Sequence, residues 1–142
     1  MKTLFSFLFL LFSIISSGQT NVDILIKNGR VIDGTGNSWF YADVAVKYVK
    51  IIKVWKNLSL TSNKIIDAKG LVVAPGFVDV HGHIEGGIMT TPEAANYIYD
   101  GVTTVITGNC GGSAADIKRF YYRVDSIRPS INVSTLVGHN TV

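Results

Sequence analysis

Two histidines separated by one glycine, His81 and His83, are the first residues in this sequence whose types and spacing could do chemistry. They directly follow the apolar residues 77–80, which predict a short β-strand. Side chains two positions apart on extended backbone point to the same side, so both imidazoles are expected to face one point. Imidazoles arranged in this way suit a divalent metal such as Zn²⁺. A purely structural pair of histidines would show the same spacing.

A cysteine and a third histidine also follow apolar stretches. Cys110 is the single cysteine of the chain and lies among glycines in the segment GNCGG, directly after residues 102–107. Glycines let the backbone approach a ligand, and a thiolate is a soft metal ligand. An inert buried cysteine is the alternative. His139 follows the next apolar stretch, where it either lines the same site as a substrate-pocket residue or is structural.

The elements that would position these side chains alternate between strand and helix. Thr91 before Pro92 indicates a helix start, and Ser113 with Asp116 three positions later indicates another. The predicted order is strand 77–80, helix 91–100, strand 102–107, a helix from Ser113 to the residue before Pro129, and strand 131–137. Such alternation predicts parallel βα units, and active sites of (β/α) barrels lie at the carboxyl ends of their strands.

Residues 22–74 show a different pattern, with short apolar runs and no helical period. Asn28-Gly29 predicts a tight hairpin between two of these runs, because both central residues of such a turn need a positive φ. The predicted strands are 22–26, 31–32, 40–47, 51–55, 64–67 and 71–74. This spacing is typical of a small β-sandwich-like domain, and Pro75-Gly76 marks its boundary.

The N-terminus has the layout of a secretory signal peptide, predicted to occupy residues 1–18. Lys2 gives a positive start, residues 4–15 are apolar, and Ser16-Ser17-Gly18 supplies small residues at the cleavage site. Twelve apolar residues are too few for a spanning helix, which needs about 20. We therefore expect a secreted or periplasmic protein that begins near Gln19 and has no membrane contact after cleavage. An uncleaved N-terminal anchor is the alternative.

Composition excludes several classes of protein. With 47% hydrophobic residues the chain is not disordered, and one cysteine cannot form an internal disulfide. The net charge is +3 without a block of like charges or an arginine cluster, so no nucleic-acid partner is expected.

Four segments together resemble the amidohydrolase superfamily and, within it, the D-aminoacylases, which are N-acyl-D-amino-acid deacylases. They are DILIKNGRVIDGTG (23–36), APGFVDVHGH (74–83), GVTTVITGNCG (101–111) and NVSTLVGHN (132–140). The histidine segment is common to the superfamily. The GNCG segment is more specific, because many relatives take a bridging ligand from a carbamylated lysine or a glutamate, whereas D-aminoacylases use a cysteine.

This resemblance implies an α/β fold, namely the first strands of a (β/α)₈ TIM barrel (76–142) preceded by part of a β-sandwich-like domain (19–75). It implies that His81 and His83 bind one metal ion, and that Cys110 is the shared or primary ligand of one or two Zn²⁺ ions. The implied reaction is hydrolysis of a small N-acylated amino acid to a D-amino acid and a carboxylate. The alternatives are another amidohydrolase of the dihydroorotase or imidase kind, and a non-catalytic secreted β-rich module.

The sequence departs from the family pattern at three places. Ile84-Glu85 stands where an aromatic-Asp pair is common, and Tyr48-Val49 stands where a hairpin turn usually carries glycine. A complete barrel takes about 250 residues, whereas residues 76–142 hold only its first strands. The later metal ligands and the catalytic Asp are expected beyond Val142. We therefore expect an N-terminal fragment that is inactive alone and needs the missing part of the barrel.

Overall fold

A computed structural model describes residues 20–142 of the chain. The chain divides into two compact units, the first ending at Ala74 and the second running from Pro75 to Val142. The predicted signal peptide, residues 1–18, lies outside the described residues. Within residues 20–142, no helix is long and apolar enough to cross a membrane.

The first unit is a five-stranded sheet in the order β3-β2-β1-β4, with β5 also paired to β1. Its strands are β1 (Asn21–Val31), β2 (Phe40–Lys47), β3 (Lys50–Trp55), β4 (Thr61–Asp67) and β5 (Val72–Val73). Strands β1, β2 and β3 pair antiparallel, while β4 and β5 run parallel to β1. Residues 20–74 therefore form one mixed sheet, and the two layers that a sandwich requires are not seen in this part of the chain.

The predicted hairpin at Asn28-Gly29 is wrong, because β1 continues through both residues. Asn28 has the positive φ that the sequence signal implies, at 62°, but uses it in a bulge where the register with β2 shifts. The Asn28 amide donates to Asp43 Oδ1 at 2.9 Å, which gives the bulge a partner across the sheet. A Cβ on Gly29 would collide with the Val73 side chain, so glycine lets β5 pack close to the bulge.

Tyr48 and Val49 form the two-residue turn between β2 and β3. Their φ values are 50° and 56°, a left-handed pair that glycine and asparagine adopt more readily than valine. The Tyr48 amide donates to Asp23 Oδ2 at 2.7 Å, which helps to hold this strained turn. The departure from the family pattern at these residues therefore changes the residue types of the turn and keeps it tight.

Asp43 is a buried carboxylate that contacts both the bulge of β1 and the loop after β3. Besides the Asn28 amide, it accepts a hydrogen bond from the Leu58 amide at 2.8 Å, and its exposed fraction is 3%. Asp43→Ala is expected to lower the free energy of unfolding by about 2–4 kcal/mol, since it leaves two amides without partners. Urea unfolding followed by tryptophan fluorescence checks this, because both tryptophans, Trp39 and Trp55, lie in this unit.

Asp125 provides the control, since it lies exposed on a helix of the second unit. Asp125→Ala is expected to change the same free energy by less than about 0.5 kcal/mol. Equal effects of the two substitutions would show that the buried hydrogen bonds of Asp43 do not stabilise the sheet.

The second unit is mixed α/β, with three parallel strands in the order β6-β7-β8. Its elements are β6 (Phe77–Asp79), α1 (Gly87–Thr90), α2 (Ala95–Tyr99), β7 (Val102–Thr107), α3 (Ile117–Ile127), β8 (Asn132–Thr135) and a 3₁₀ turn (His139–Thr141). The parallel order predicted from the alternating pattern is confirmed. Helices α1 and α3 contact each other, and Val105 at the centre of β7 is fully buried.

Two predicted helix starts are wrong. Thr91 lies directly after α1, with φ −134° and ψ 69°, and α2 begins only after Ala94. Asp116 itself caps α3 by accepting a hydrogen bond from the Arg119 amide at 2.8 Å. Ser113 instead accepts a hydrogen bond from the Gly138 amide at 3.0 Å, so it ties the loop after β7 to the segment after β8.

Candidate metal centre

The histidine pair and the cysteine lie at the carboxyl ends of neighbouring parallel strands. His81 and His83 follow β6, while Cys110 follows β7. Backbone pairing continues past the end of β6, because the Gly82 amide donates to the Ile106 carbonyl at 2.9 Å. The His81 amide donates to Asp79 Oδ1 at 3.0 Å, which fixes the chain as it leaves β6. Both ligand-bearing loops therefore start from the same sheet edge.

The three side chains converge. Cys110 Sγ lies 3.2 Å from His81 Nε2 and 3.6 Å from His83 Nε2. The potential ligand atoms all lie within 4.8 Å of one another, and all three residues are exposed. Tetrahedral Zn²⁺, with bonds of about 2.0–2.3 Å, spaces neighbouring nitrogen and sulfur ligands about 3.5 Å apart. This donor set of two imidazoles and one thiol therefore fits a zinc ion in both chemistry and spacing.

The loop that carries Cys110 has an unusual backbone. Cys110 has φ 56°, and Gly108 and Gly111 on either side both have φ 78°. A non-glycine residue rarely adopts this left-handed conformation, and such strain is concentrated at functional sites. A Cβ on Gly108 would also collide with the Leu136 carbonyl oxygen, so glycine is needed where this loop passes β8. The turn thus aims the Cys110 side chain back toward the histidines.

Similarity to known proteins agrees with this site. Residues 64–128 match the model of the amidohydrolase family. The chain is 36% identical to an N-acyl-D-aspartate deacylase and 32% identical to an N-acyl-D-glutamate deacylase, both from Alcaligenes xylosoxydans xylosoxydans, over 92% and 85% of its length. An N-acyl-D-glutamate deacylase from Bordetella bronchiseptica, solved with zinc and a phosphonate inhibitor, aligns with 84% of the chain at 34% identity and a TM-score of 0.79. The chain belongs to the amidohydrolase family.

Within the amidohydrolases, its similarity to N-acyl-D-amino-acid deacylases extends over most of both units. The chain spans 31% of the length of the N-acyl-D-aspartate deacylase and 29% of that of the N-acyl-D-glutamate deacylase. It covers 30% of the solved Bordetella enzyme. The matched part contains the convergent residues His81, His83 and Cys110, so these lie in the region of shared fold.

Two further polar residues of this amidohydrolase chain lie beside the three ligand candidates. Glu85 Oε1 accepts a hydrogen bond from the Gly108 amide at 3.0 Å. Asn109 Nδ2 donates to the Ile106 carbonyl at 2.9 Å and to the Gly82 carbonyl at 3.4 Å. Sequence reasoning noted Glu85 only as a departure and gave Asn109 no role. Their proximity in sequence to His83 and Cys110 is the one signal that could have found them.

The surroundings of Glu85 shift the pKa of its carboxyl in opposite directions. Partial burial tends to raise the pKa of its carboxyl, but the neighbouring Thr107 hydroxyl, the Gly108 amide and the charge of His83 outweigh burial and hold that pKa below its usual value. Thr107 is fully buried, and its hydroxyl makes no hydrogen bond of ordinary geometry. It lowers the pKa of Glu85 because its hydroxyl lies near the carboxylate. Glu85 is therefore ionised at neutral pH.

The structure does not bring His139 into the ligand group. This residue begins the 3₁₀ turn after β8 and is exposed, and among residues 20–142 the convergent group contains only the other two histidines and Cys110. The next residue, Asn140, donates its amide to the Gly111 carbonyl at 2.8 Å. This segment thus supports the cysteine loop through its backbone, and a substrate-pocket role for the His139 side chain stays a prediction.

An open pocket of about 410 Å³ lies over the candidate centre. It is lined by His83, Glu85, Asn109, Cys110, Gly112, Ser113 and Ala114. A larger cavity of about 710 Å³ lies in the first unit, between Tyr41 and Lys69, but no comparable ligand group forms there among the described residues. The pocket beside Cys110 is therefore the one that combines space with metal-binding chemistry.

Proposed function

We propose that this chain provides part of the zinc centre of a secreted deacylase that converts N-acyl-D-amino acids to D-amino acids and carboxylates. The observation that carries the proposal is the position of Cys110 Sγ, within 3.2 Å and 3.6 Å of the two histidine Nε2 atoms. The similarity to N-acyl-D-aspartate and N-acyl-D-glutamate deacylases supports the substrate class.

In this proposal His81, His83 and Cys110 hold one or two Zn²⁺ ions. A bound zinc ion would supply a Lewis acid and lower the pKa of a coordinated water. The chain's own residues bind and orient the ion: the histidine pair presents two imidazoles from one loop, and the strained turn at Cys110 presents sulfur from the next strand. A thiolate adds a negative charge to the site, which favours retention of a divalent cation.

The lining of the pocket bears on which residue accepts the proton during hydrolysis. Among residues 20–142, Glu85 is the only carboxylate lining the pocket, and its Oε1 accepts a hydrogen bond from the Gly108 amide. We propose that the proton acceptor for hydrolysis is an aspartate from a later part of a longer protein. Deacylation is favoured over dihydroorotase-like or imidase-like hydrolysis because a cysteine, Cys110, lies beside the histidine pair.

Zinc retention tests the metal-binding part of the proposal. The purified chain, loaded with Zn²⁺ and dialysed against metal-free buffer at neutral pH, is expected to retain at least about one equivalent, because three convergent donors are already in place. Elemental analysis measures the zinc, and replacement by Co²⁺ adds an optical signature of a cobalt–thiolate bond. A folded chain that retains no metal would overturn the proposal and favour a non-catalytic module with incidental histidines and cysteine.

A further inference from the structure

Two side-chain hydrogen bonds join the loop of the histidine pair to the loop of Cys110, one from each side. Asn109, adjacent to Cys110, donates to the carbonyl of Gly82, the residue between the histidines. Glu85, two residues after His83, accepts from the amide of Gly108, two residues before the cysteine. Asn109 and Glu85 are both partly buried, so these bonds are shielded from competing water. We call the two residues together the clasp.

We infer that Glu85 and Asn109 are positioning residues that hold the Cys110 thiol against the histidine pair. The inference rests on the proposed zinc site and adds to it two residues that act through the backbone of the two ligand-bearing loops. The clasp acts on the backbone on both sides of the ligands: Asn109 holds the turn of the histidine pair, and Glu85 holds the start of the cysteine loop.

The cysteine loop needs such support because its own sequence does not fix its conformation. Gly108, Gly111 and Gly112 leave the backbone with many accessible states, and Cys110 sits in a left-handed conformation that it does not prefer. The Cys110 side chain is exposed, so burial adds little to compensate for this strain. With the clasp removed, Sγ would be less often within reach of a metal held by the histidines.

The second bond of Asn109 strengthens this role. Its Nδ2 also donates to the Ile106 carbonyl at 2.9 Å, the same carbonyl that accepts the Gly82 amide. Ile106 lies within β7, whose partner β6 leads into the histidine pair. One amide group therefore contacts the strand end and the histidine turn together, which sets the distance between the two loops.

The chain contains a matched control for Asn109. Asn132 also uses its Nδ2 for two hydrogen bonds, to the Thr103 carbonyl at 3.0 Å and to Thr104 Oγ1 at 3.3 Å. These bonds lie in the same sheet, at the start of β8 rather than at the strand ends that carry the ligands. Asn132→Ala thus removes two amide hydrogen bonds, here exposed ones, without touching either ligand-bearing loop.

The test measures zinc affinity by competition with a chromogenic chelator, and the cobalt–thiolate absorption band, in Glu85→Ala, Glu85→Gln, Asn109→Ala and Asn132→Ala. Loss of a residue that supports a metal ligand typically costs 10–100-fold in affinity, so both clasp alanine variants are expected to bind zinc about 10–100-fold more weakly, with a weakened band. Glu85→Gln keeps an oxygen acceptor for the Gly108 amide and is expected to stay within about threefold of the wild type. Asn132→Ala is expected to bind zinc normally.

The outcomes separate the two proposals. A wild-type chain without zinc affinity would contradict the metal centre itself. A wild-type chain that binds zinc, with Glu85→Ala and Asn109→Ala both within about threefold of it, would overturn the clasp alone. Equal losses of zinc affinity in Asn132→Ala and Asn109→Ala would also overturn it, because the effect would then be one of general stability. Equal losses in Glu85→Gln and Glu85→Ala would do the same, because the effect would then be one of charge. If Asn109→Ala does not fold, as judged by circular dichroism, the comparison of Glu85→Ala with Glu85→Gln still tests the clasp.

Discussion

Replacing Cys110 by alanine is expected to lower the affinity of the chain for Zn²⁺ by at least about 100-fold. Its Sγ is the atom that lies near both histidine Nε2 atoms, so its removal leaves only two imidazoles in the convergent group. Loss of a group that merely orients a ligand costs 10–100-fold, and loss of the ligand itself should cost more. Chelator competition measures the affinity, and the cobalt–thiolate band should disappear in the same variant.

His139→Ala is the matched control, because His139 is exposed at the same end of the sheet but lies outside the ligand group. Its zinc affinity is expected to equal that of the wild-type chain. Cys110→Ser preserves size while replacing the thiol by a poor ligand, so it should resemble Cys110→Ala. If Cys110→Ala kept its zinc affinity while His81→Ala lost it, the cysteine would not be a ligand and the case for a deacylase would fail.

The sequence predicts those features of this site that depend on residue patterns along one strand or on the order of the strands. Strands 40–47 and 102–107 have the predicted bounds, since both are rich in apolar and β-branched residues. Convergence of the ligands follows from two simple facts: side chains alternate along an extended chain, and neighbouring parallel strands end at the same edge. Neither fact depends on the rest of the fold.

Errors arise where a local signal has more than one structural outcome. Asn28 does adopt a positive φ, but that conformation serves a hairpin or a bulge equally well, and the distant carboxylate of Asp43 stabilises the bulge. Thr91 has a residue type suited to a helix start, yet Pro92 disfavours helical backbone at the residue before it, and α1 ends there instead. For Asn28 a partner distant in the chain therefore decides the conformation, and for Thr91 the same proline that indicates a helix start disfavours helical backbone before it.

The clasp could not be predicted for a related reason. Its two bonds join residues 23 and 27 positions apart in the chain, Glu85 with Gly108 and Asn109 with Gly82. Such pairs form only once two strands are aligned in a particular register, and no spacing rule along one strand contains that information. Strand order and side-chain alternation predict where His81, His83 and Cys110 lie, whereas the contacts of the clasp depend on the packing of the loops.

The 142 residues alone are expected to show no measurable hydrolysis of N-acetyl-D-amino acids, even with excess Zn²⁺. Among the described residues the one carboxylate lining the pocket is Glu85, whose lowered pKa makes it a weak base, and general base catalysis typically contributes about 10²–10⁴-fold. His81, His83 and Cys110 are exposed, so water would weaken any stabilisation of charge at the reacting carbonyl. Assays with N-acetyl-D-aspartate and N-acetyl-D-glutamate over a range of zinc concentrations measure the rate.

A graft into a complete enzyme tests whether that inactivity comes from the lack of further residues or from a metal centre that does not support hydrolysis. Residues 20–142 would replace the matching segment of the N-acyl-D-aspartate deacylase, which is 36% identical to the chain. Once its zinc content shows that it is folded, the graft is expected to hydrolyse the D but not the L substrate, and Cys110→Ala in the graft should abolish the activity. Turnover by the isolated chain that disappears in Cys110→Ala would show that these residues are catalytic without a partner. A folded, zinc-loaded graft that cleaves dihydroorotate and no N-acylated amino acid would instead replace the deacylase proposal with a cyclic-amide hydrolase.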